Sequence, residues 1–162
     1  MYYGEARTKV DQKGRITVPR RVRETMNVMG HAVWYMARGF DHSVFLFHQE
    51  TWDTIRTQVS RRSSMDAKAL DFRRLFFSSV AEVRPDGQGR IAVPAHLREH
   101  ASLDKEAVLI GVDDHLELWS EESWRGFRGD KDAEYKEMAA PLFGTETDGE
   151  AEQKKGGQLD ES

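Results

Sequence analysis

From Glu5 to Val10, charged side chains (Glu5, Arg7, Lys9) alternate with small or apolar ones (Ala6, Thr8, Val10), the two-residue period of a half-buried strand. Asp11-Gln12-Lys13-Gly14 breaks the alternation as a turn: Asp suits its first position, and Gly14 tolerates the positive φ that closes it. Arg15-Ile16-Thr17-Val18 alternates again, so the pattern predicts a hairpin with Asp11–Gly14 at its tip. Pro19 ends the strand and suits a helix start, and Val22 and Met26, four apart, give a short helix its buried stripe. A second hairpin is predicted from Ala32–Arg38 and Ser43–Phe47, joined by Gly39-Phe40-Asp41-His42. Trp52, Ile55 and Val59 then share one helix face, and a further helix is expected over Asp66–Leu75.

The pattern then repeats. Asp11-Gln12-Lys13-Gly14-Arg15-Ile16-Thr17-Val18-Pro19 returns as Asp86-Gly87-Gln88-Gly89-Arg90-Ile91-Ala92-Val93-Pro94, an offset of 75 that continues through Val22/Leu97, Arg23/Arg98 and Glu24/Glu99. After a three-residue indel the offset becomes 72: Leu46-Phe47-His48-Gln49-Glu50-Thr51-Trp52 matches Leu118-Trp119-Ser120-Glu121-Glu122-Ser123-Trp124. Two separated blocks in one order mark an internal duplication, with a last helix expected near Glu121–Phe127. One copy is too short to bury much surface and leaves strand edges open. Two copies in one chain therefore pack as a pseudo-symmetric pair, and Trp52 and Trp124 read as equivalent core residues.

Composition narrows the classes. The 162 residues are 38% hydrophobic and 32% charged, with no cysteine, which excludes disulfides, thiolate metal sites and cysteine nucleophiles. No run approaches the roughly 20 apolar residues of a membrane span. MYYGEARTKV has no apolar signal-peptide core, so the expected location is the cytoplasm. The net charge of −4 hides an asymmetry: Met1–Thr25 carries seven bases against three acids, Gly129–Ser162 four bases against ten acids. The polar, acidic stretch at 145–162 is expected to be a disordered tail. A middle basic cluster (Arg56, Arg61, Arg62, Lys68, Arg73, Arg74, against Asp66 and Asp71) shares its helices with Leu70, Leu75, Phe76 and Phe77, which suit packing, so a neighbouring subunit's acids or plain solvent is favoured over DNA as its surroundings.

Asp-x-x-x-Arg, present twice, each time followed by Ile-x-Val-Pro and a short helix with Arg-Glu, resembles the MraZ family, whose wider relatives are the AbrB and MazE swapped-hairpin DNA binders. The resemblance runs from about Tyr2 to Gly144. It implies an α+β, β-rich fold in which two tandem AbrB-like motifs, 1–75 and 76–144, form a pseudo-symmetric double-split β-barrel with short helices. It also implies ring-shaped homo-oligomers, a nucleoid-associated role, and binding of double-stranded DNA at repeated promoter boxes of a division and cell-wall gene cluster. The segments implied to face DNA are Asp11–Arg15 and Asp86–Arg90; Gly87-Gln88 replaces Gln12-Lys13 in the second, a departure from the basic pattern.

The physics of such a contact is direct. A β-ribbon fits the major groove, and Arg15 or Arg90 can fork onto guanine O6 and N7 or onto a phosphate. Arg7, Lys9 and Lys13 would add sequence-independent phosphate contacts. Asp11 and Asp86, repelled by phosphate, are assigned to the turn backbone or to orienting the arginine, and Gly14 and Gly89 to closing the turns. From the residues alone two readings stay open for Arg15 and Arg90: DNA contact, or a structural salt bridge across the turn. An antitoxin-like module with a neutralising tail and a non-DNA assembly protein also remain as alternatives.

Enzymatic patterns fail. His96-Leu97-Arg98-Glu99-His100 matches a zinc-protease arrangement, but its repeat equivalent, Arg21-Val22-Arg23-Glu24-Thr25, has no histidine. His31, His42, His48 and His115 have no ligand spacing in sequence, and Gly87-Gln88-Gly89 lacks the third glycine of a dinucleotide loop. No cofactor, metal or catalytic residue is expected.

Overall fold

The structure, a computed structural model, describes residues 1–61 and 65–144. Arg62 and the tail expected at 145–162 lie outside the described residues. The first copy runs β1 (Glu5–Lys9), β2 (Arg15–Thr17), α1 (Arg20–Met29), β3 (Trp34–Arg38), β4 (Val44–His48) and α2 (Gln49–Ser60). The connecting helix α3 (Ala67–Ser79) follows. The second copy repeats the order as β5 (Ala81–Val83), β6 (Arg90–Ala92), α4 (Ala95–His100), β7 (Glu106–Gly111), β8 (Leu116–Trp119) and α5 (Glu121–Lys131).

Local chemistry explains the boundaries. Pro19 and Pro94 occupy the N-cap positions of α1 and α4, and Gly30 ends α1 in the left-handed region. Asp66 caps α3 by accepting from the amides of Lys68 and Ala69. That helix runs one turn past the expected Leu75, because Phe76 is drawn into the core.

The chain forms one compact unit from Met1 to Phe127 and a second from Arg128 onward. The second, as far as it is described, holds a 3-10 turn at Asp132–Glu134 and α6 (Tyr135–Phe143), an element the hydropathy pattern did not announce; no residue of α6 is buried.

Strand pairing departs from the hairpin reading. β1 pairs with β7, and β2 pairs with β6; the backbone pairing between the first two strands is reduced to the isolated bridge Val10–Ile16. The larger sheet has the antiparallel order β1-β7-β8-β4-β3-β5, and the smaller is β2-β6. Exchanging equivalent strands of the two copies reverses this order onto itself. The copies interleave rather than merely pack: β1 of the first copy extends the second copy's β7–β8 hairpin, and β5 of the second extends β3–β4. The central registers map onto each other residue for residue about Ile16–Ile91 and Phe45–Glu117. Among the described residues neither sheet closes into a barrel, and helices hold more residues than strands.

The six-stranded sheet is covered on both faces, which is why β3, β4, β7 and β8 are apolar nearly throughout. One face, with Trp34, Met36, Leu46, Leu109 and Leu118, packs on the β2–β6 ribbon (Ile16, Ile91) and on Val22, Met26 and Leu97 of α1 and α4. The other face packs on α2 and α3 through Trp52 and Phe76, and on α5 through Trp124 and Phe127. Trp52 is buried; Trp124 is half-buried.

Candidate nucleic-acid interface

The β2–β6 ribbon has one buried and one open face. Ile16 and Ile91 are 0% and 1% exposed and point into the core. The alternation puts Arg15, Thr17, Arg90 and Ala92 together on the opposite face. Arg15 stands opposite Ala92, and Arg90 opposite Thr17, so the two arginines mark the two ends of one short ribbon.

The turns that feed the ribbon are built identically. The amide of Gly14 donates to the carbonyl of Asp11 at 3.0 Å, and that of Gly89 to Asp86 at 2.9 Å, with φ of +76° and +74° at the two glycines. Asp11 Oδ1 accepts from the amides of Lys13 and Arg15, both at 2.9 Å, while Oδ2 accepts from Arg15 Nε at 2.8 Å. Asp86 repeats the set with Gln88 and Arg90 at 2.9, 2.9 and 2.8 Å. The Arg15 amide, helped by its guanidinium and the Lys13 amide, holds the Asp11 carboxyl below the usual carboxylate range; Arg90 and Gln88 do the same for Asp86. Each carboxylate therefore engages the inner nitrogen of its arginine. The outer, forked edge of the guanidinium keeps its donors, the geometry that bidentate recognition of a base or phosphate uses. The salt bridge across the turn, one of the two readings open for these arginines, is present in both copies.

Each turn is braced by the other copy. The carbonyl of Gly14 accepts from the Val93 amide at 2.9 Å, and the carbonyl of Gly89 from the Val18 amide at 2.7 Å. Arg98 lies over Gly14 and Arg23 over Gly89, so closely that a Cβ at either glycine would collide with the guanidinium or its stem. Arg23 Nη1 also reaches the Gln88 carbonyl at 3.4 Å. These two arginines were not picked out as site residues, although the 75-residue offset that equates Arg23 with Arg98 carries the signal.

The other basic candidates separate. Lys13 is exposed on the first turn beside Arg15. Arg7 and Lys9 project from the face of β1 opposite to Thr8, whose hydroxyl bonds the Thr17 carbonyl on the ribbon side. Arg7 is gripped there by Glu121 through Nε at 3.0 Å and Nη2 at 3.1 Å, and by Glu5 at 3.1 Å. Lys9 is exposed at the end of β1, opposite Glu106. Of the histidines in the protease-like pattern, His96 Nε2 meets the Ser79 carbonyl at 2.9 Å and His100 Nε2 meets that of Gly39 at 3.0 Å, so the two rings serve different backbone groups.

No described helix is long and apolar enough to cross a membrane. The sequence matches the MraZ protein family, whose description adds a likeness to antitoxins, twice, over 1–75 and 76–144. It is 38% identical over 142 residues to the transcriptional regulator MraZ of Carboxydothermus hydrogenoformans, covering 88% of this chain and 96% of that protein. Identity to the transcriptional regulator MraZ of Heliobacterium modesticaldum is 38% over 143 residues (88% and 97%), and to that of Alkaliphilus oremlandii 36% over 139 residues (86% and 94%). These relatives are named as regulators of transcription, not as enzymes. Two family matches along one chain, and relatives aligned almost end to end, settle its place: this chain is a member of the MraZ family.

Proposed function

We propose that this protein is a sequence-specific regulator of transcription that binds double-stranded DNA through the open face of the β2–β6 ribbon and the two turns feeding it. The observation that carries the reading is that Arg15 and Arg90 share the ribbon face opposite the buried Ile16 and Ile91, each held at Nε by its own aspartate. A two-stranded ribbon fits the major groove, about 12 Å wide, and a guanidinium fork fits guanine O6 and N7. Lys13 and Lys9 supply phosphate contacts at the rim. Arg7, already neutralised by Glu5 and Glu121, is the weakest contributor of the set. The interleaved copies, 1–75 and 76–144, are read as the two halves of a double-split barrel.

The same reading assigns homo-oligomeric rings that display many such ribbons to repeated promoter boxes of a division and cell-wall gene cluster, in the cytoplasm at the nucleoid. Avidity across matched boxes multiplies affinity by roughly 10²–10⁴. The test is binding to repeated and scrambled boxes over a range of salt, with Arg15→Ala and Arg90→Ala alongside wild type. Expected are a steep salt dependence, preference for the repeats, and loss of that preference in either variant. Equal binding to both DNAs by all three proteins would refute the assignment and favour an assembly role.

A further inference from the structure

We propose that His31, His48 and Glu50 form a binding site for a borderline divalent transition metal of the Zn²⁺ or Ni²⁺ class. The histidines stand 17 positions apart in sequence, but the fold stacks their rings at 3.8 Å with planes 8° apart. One potential ligating atom from each of the three residues lies within 4.8 Å of the others. The group borders a cleft of about 460 Å³ that Asp113 and Asp114 also line, adding negative charge.

The hydrogen bonds fix which nitrogens remain for a ligand. The Thr51 hydroxyl has one proton, and the Asp114 carbonyl 2.8 Å away takes it. The contact of Thr51 Oγ1 with His48 Nε2 at 3.0 Å must then be donated by the imidazole. His48 Nδ1 is therefore a bare lone pair, on a residue only 7% exposed, with no partner among the described residues. On His31, Nδ1 meets Tyr2 Oη at 2.6 Å, and Nε2 offers its lone pair in the tautomer whose Nδ1–H donates to that oxygen. Metal-ligating histidines characteristically keep their second ring nitrogen on an oxygen partner, as both do here. Burial pushes both imidazoles below their ordinary value, towards the neutral form that binds metal.

The internal repeat supplies a control. At the position equivalent to His48 the second copy has Ser120, whose hydroxyl accepts from the Ser123 amide and caps α5. His48 stands at the N-cap of α2 and makes no such bond. The first copy thus gives up a helix cap and buries an unpartnered nitrogen where the shared scaffold needs only a serine. Local rules broken without local compensation mark functional positions. Because stacked rings direct their lone pairs in parallel, coordination at roughly 2.0–2.1 Å requires His31, on the connection after Gly30, to turn out of the stack.

The test is isothermal titration of untagged, chelator-treated full-length protein with ZnCl₂, plus Co²⁺ absorption as a coordination signature. Wild type is expected to take one ion per chain with a Co²⁺ ligand-field band. Glu50→Gln should weaken binding at least tenfold, and His31→Asn should abolish it. His48→Ser, which restores the second copy's cap and so keeps the fold, should abolish it too; Glu122→Gln, at the equivalent of Glu50, should bind as wild type. Absence of stoichiometric binding by wild type, or unchanged binding in all three site variants, overturns the proposal.

Discussion

At the scale of single residues, two environments make measurable commitments. Gly14 has a positive φ and lies under the Arg98 guanidinium, so a methyl group there meets both backbone strain and a steric clash. Gly14→Ala is expected to cost about 1–3 kcal/mol in thermal or denaturant unfolding. Gly87→Ala, in open space within the equivalent second turn, should be neutral or slightly stabilising. Equal losses in the two variants would remove the cross-copy brace from the account. The second environment is His115, which contacts Asp114 at 2.7 Å and Glu117 at 2.9 Å. Burial lowers its pKa, but the bonds to Glu117 and Asp114 outweigh burial and leave it above the ordinary 6.5. A raised folded-state pKa stabilises fully below the unfolded value and stops doing so as pH climbs through the folded one. The melting-temperature gap between wild type and His115→Gln should therefore be larger at pH 5.5 than at pH 8.5; a gap independent of pH would mean that the ring is neutral.

At the scale of elements, alternation and turn chemistry made most strands and helices legible. Val22 with Met26, Trp52 with Ile55, and the Asp-x-x-Gly turns announce themselves within a few residues, and each lies where its period puts it. Pairing was not legible. Alternation says that Arg15–Thr17 is a strand but not which strand it meets; the hairpin is the nearest local answer, and the fold uses β6, some 75 residues on, instead. α6 escaped because its apolar residues Met138, Leu142 and Phe143 are exposed, leaving no buried stripe to read. For the candidate site, Asp11, Arg15 and their repeats were legible from the motif, whereas the brace from Arg23 and Arg98 depends on that unread pairing. The brace has its own consequence. Arg98→Ala should speed hydrogen exchange at the amides of Gly14 and Arg15 several-fold while leaving those of Gly89 and Arg90 near wild type. Equal protection of the first turn in both proteins would show that Arg98 does not hold it. The ribbon's inner face is less forgiving: Ile16→Ala and Ile91→Ala should each cost about 2–5 kcal/mol, and the double variant should depart from their sum, since the two residues face each other.

At the scale of the whole molecule, the interleaving decides what can fold alone. The two family matches meet at 75/76, inside α3, so a cut there would divide a helix whose Phe76 lies in the core. A cut after Val80 spares the helix but still strips β1 of β7, β2 of β6, β3 of β5 and β4 of β8, leaving four strands with open backbone and the Ile16 side of the ribbon in water. A piece of about 80 residues has little core to offset such losses. Neither 1–80 nor 81–144 is therefore expected to melt cooperatively as a monomer, and mixing them should restore strand circular dichroism and a single transition. Self-pairing of 1–80 into a homodimer obeys the same physics, because the equivalent strands of a second copy supply the missing edges, and sedimentation would reveal it. A cooperative melt of monomeric 1–80 would contradict the account, since it would mean that β1 and β2 satisfy each other after all. On the interleaved reading neither turn is complete within one repeat: each Asp-x-x-x-Arg turn belongs to one copy and is held by the other. The duplication is then a requirement of the ribbon itself and not only a doubling of contacts.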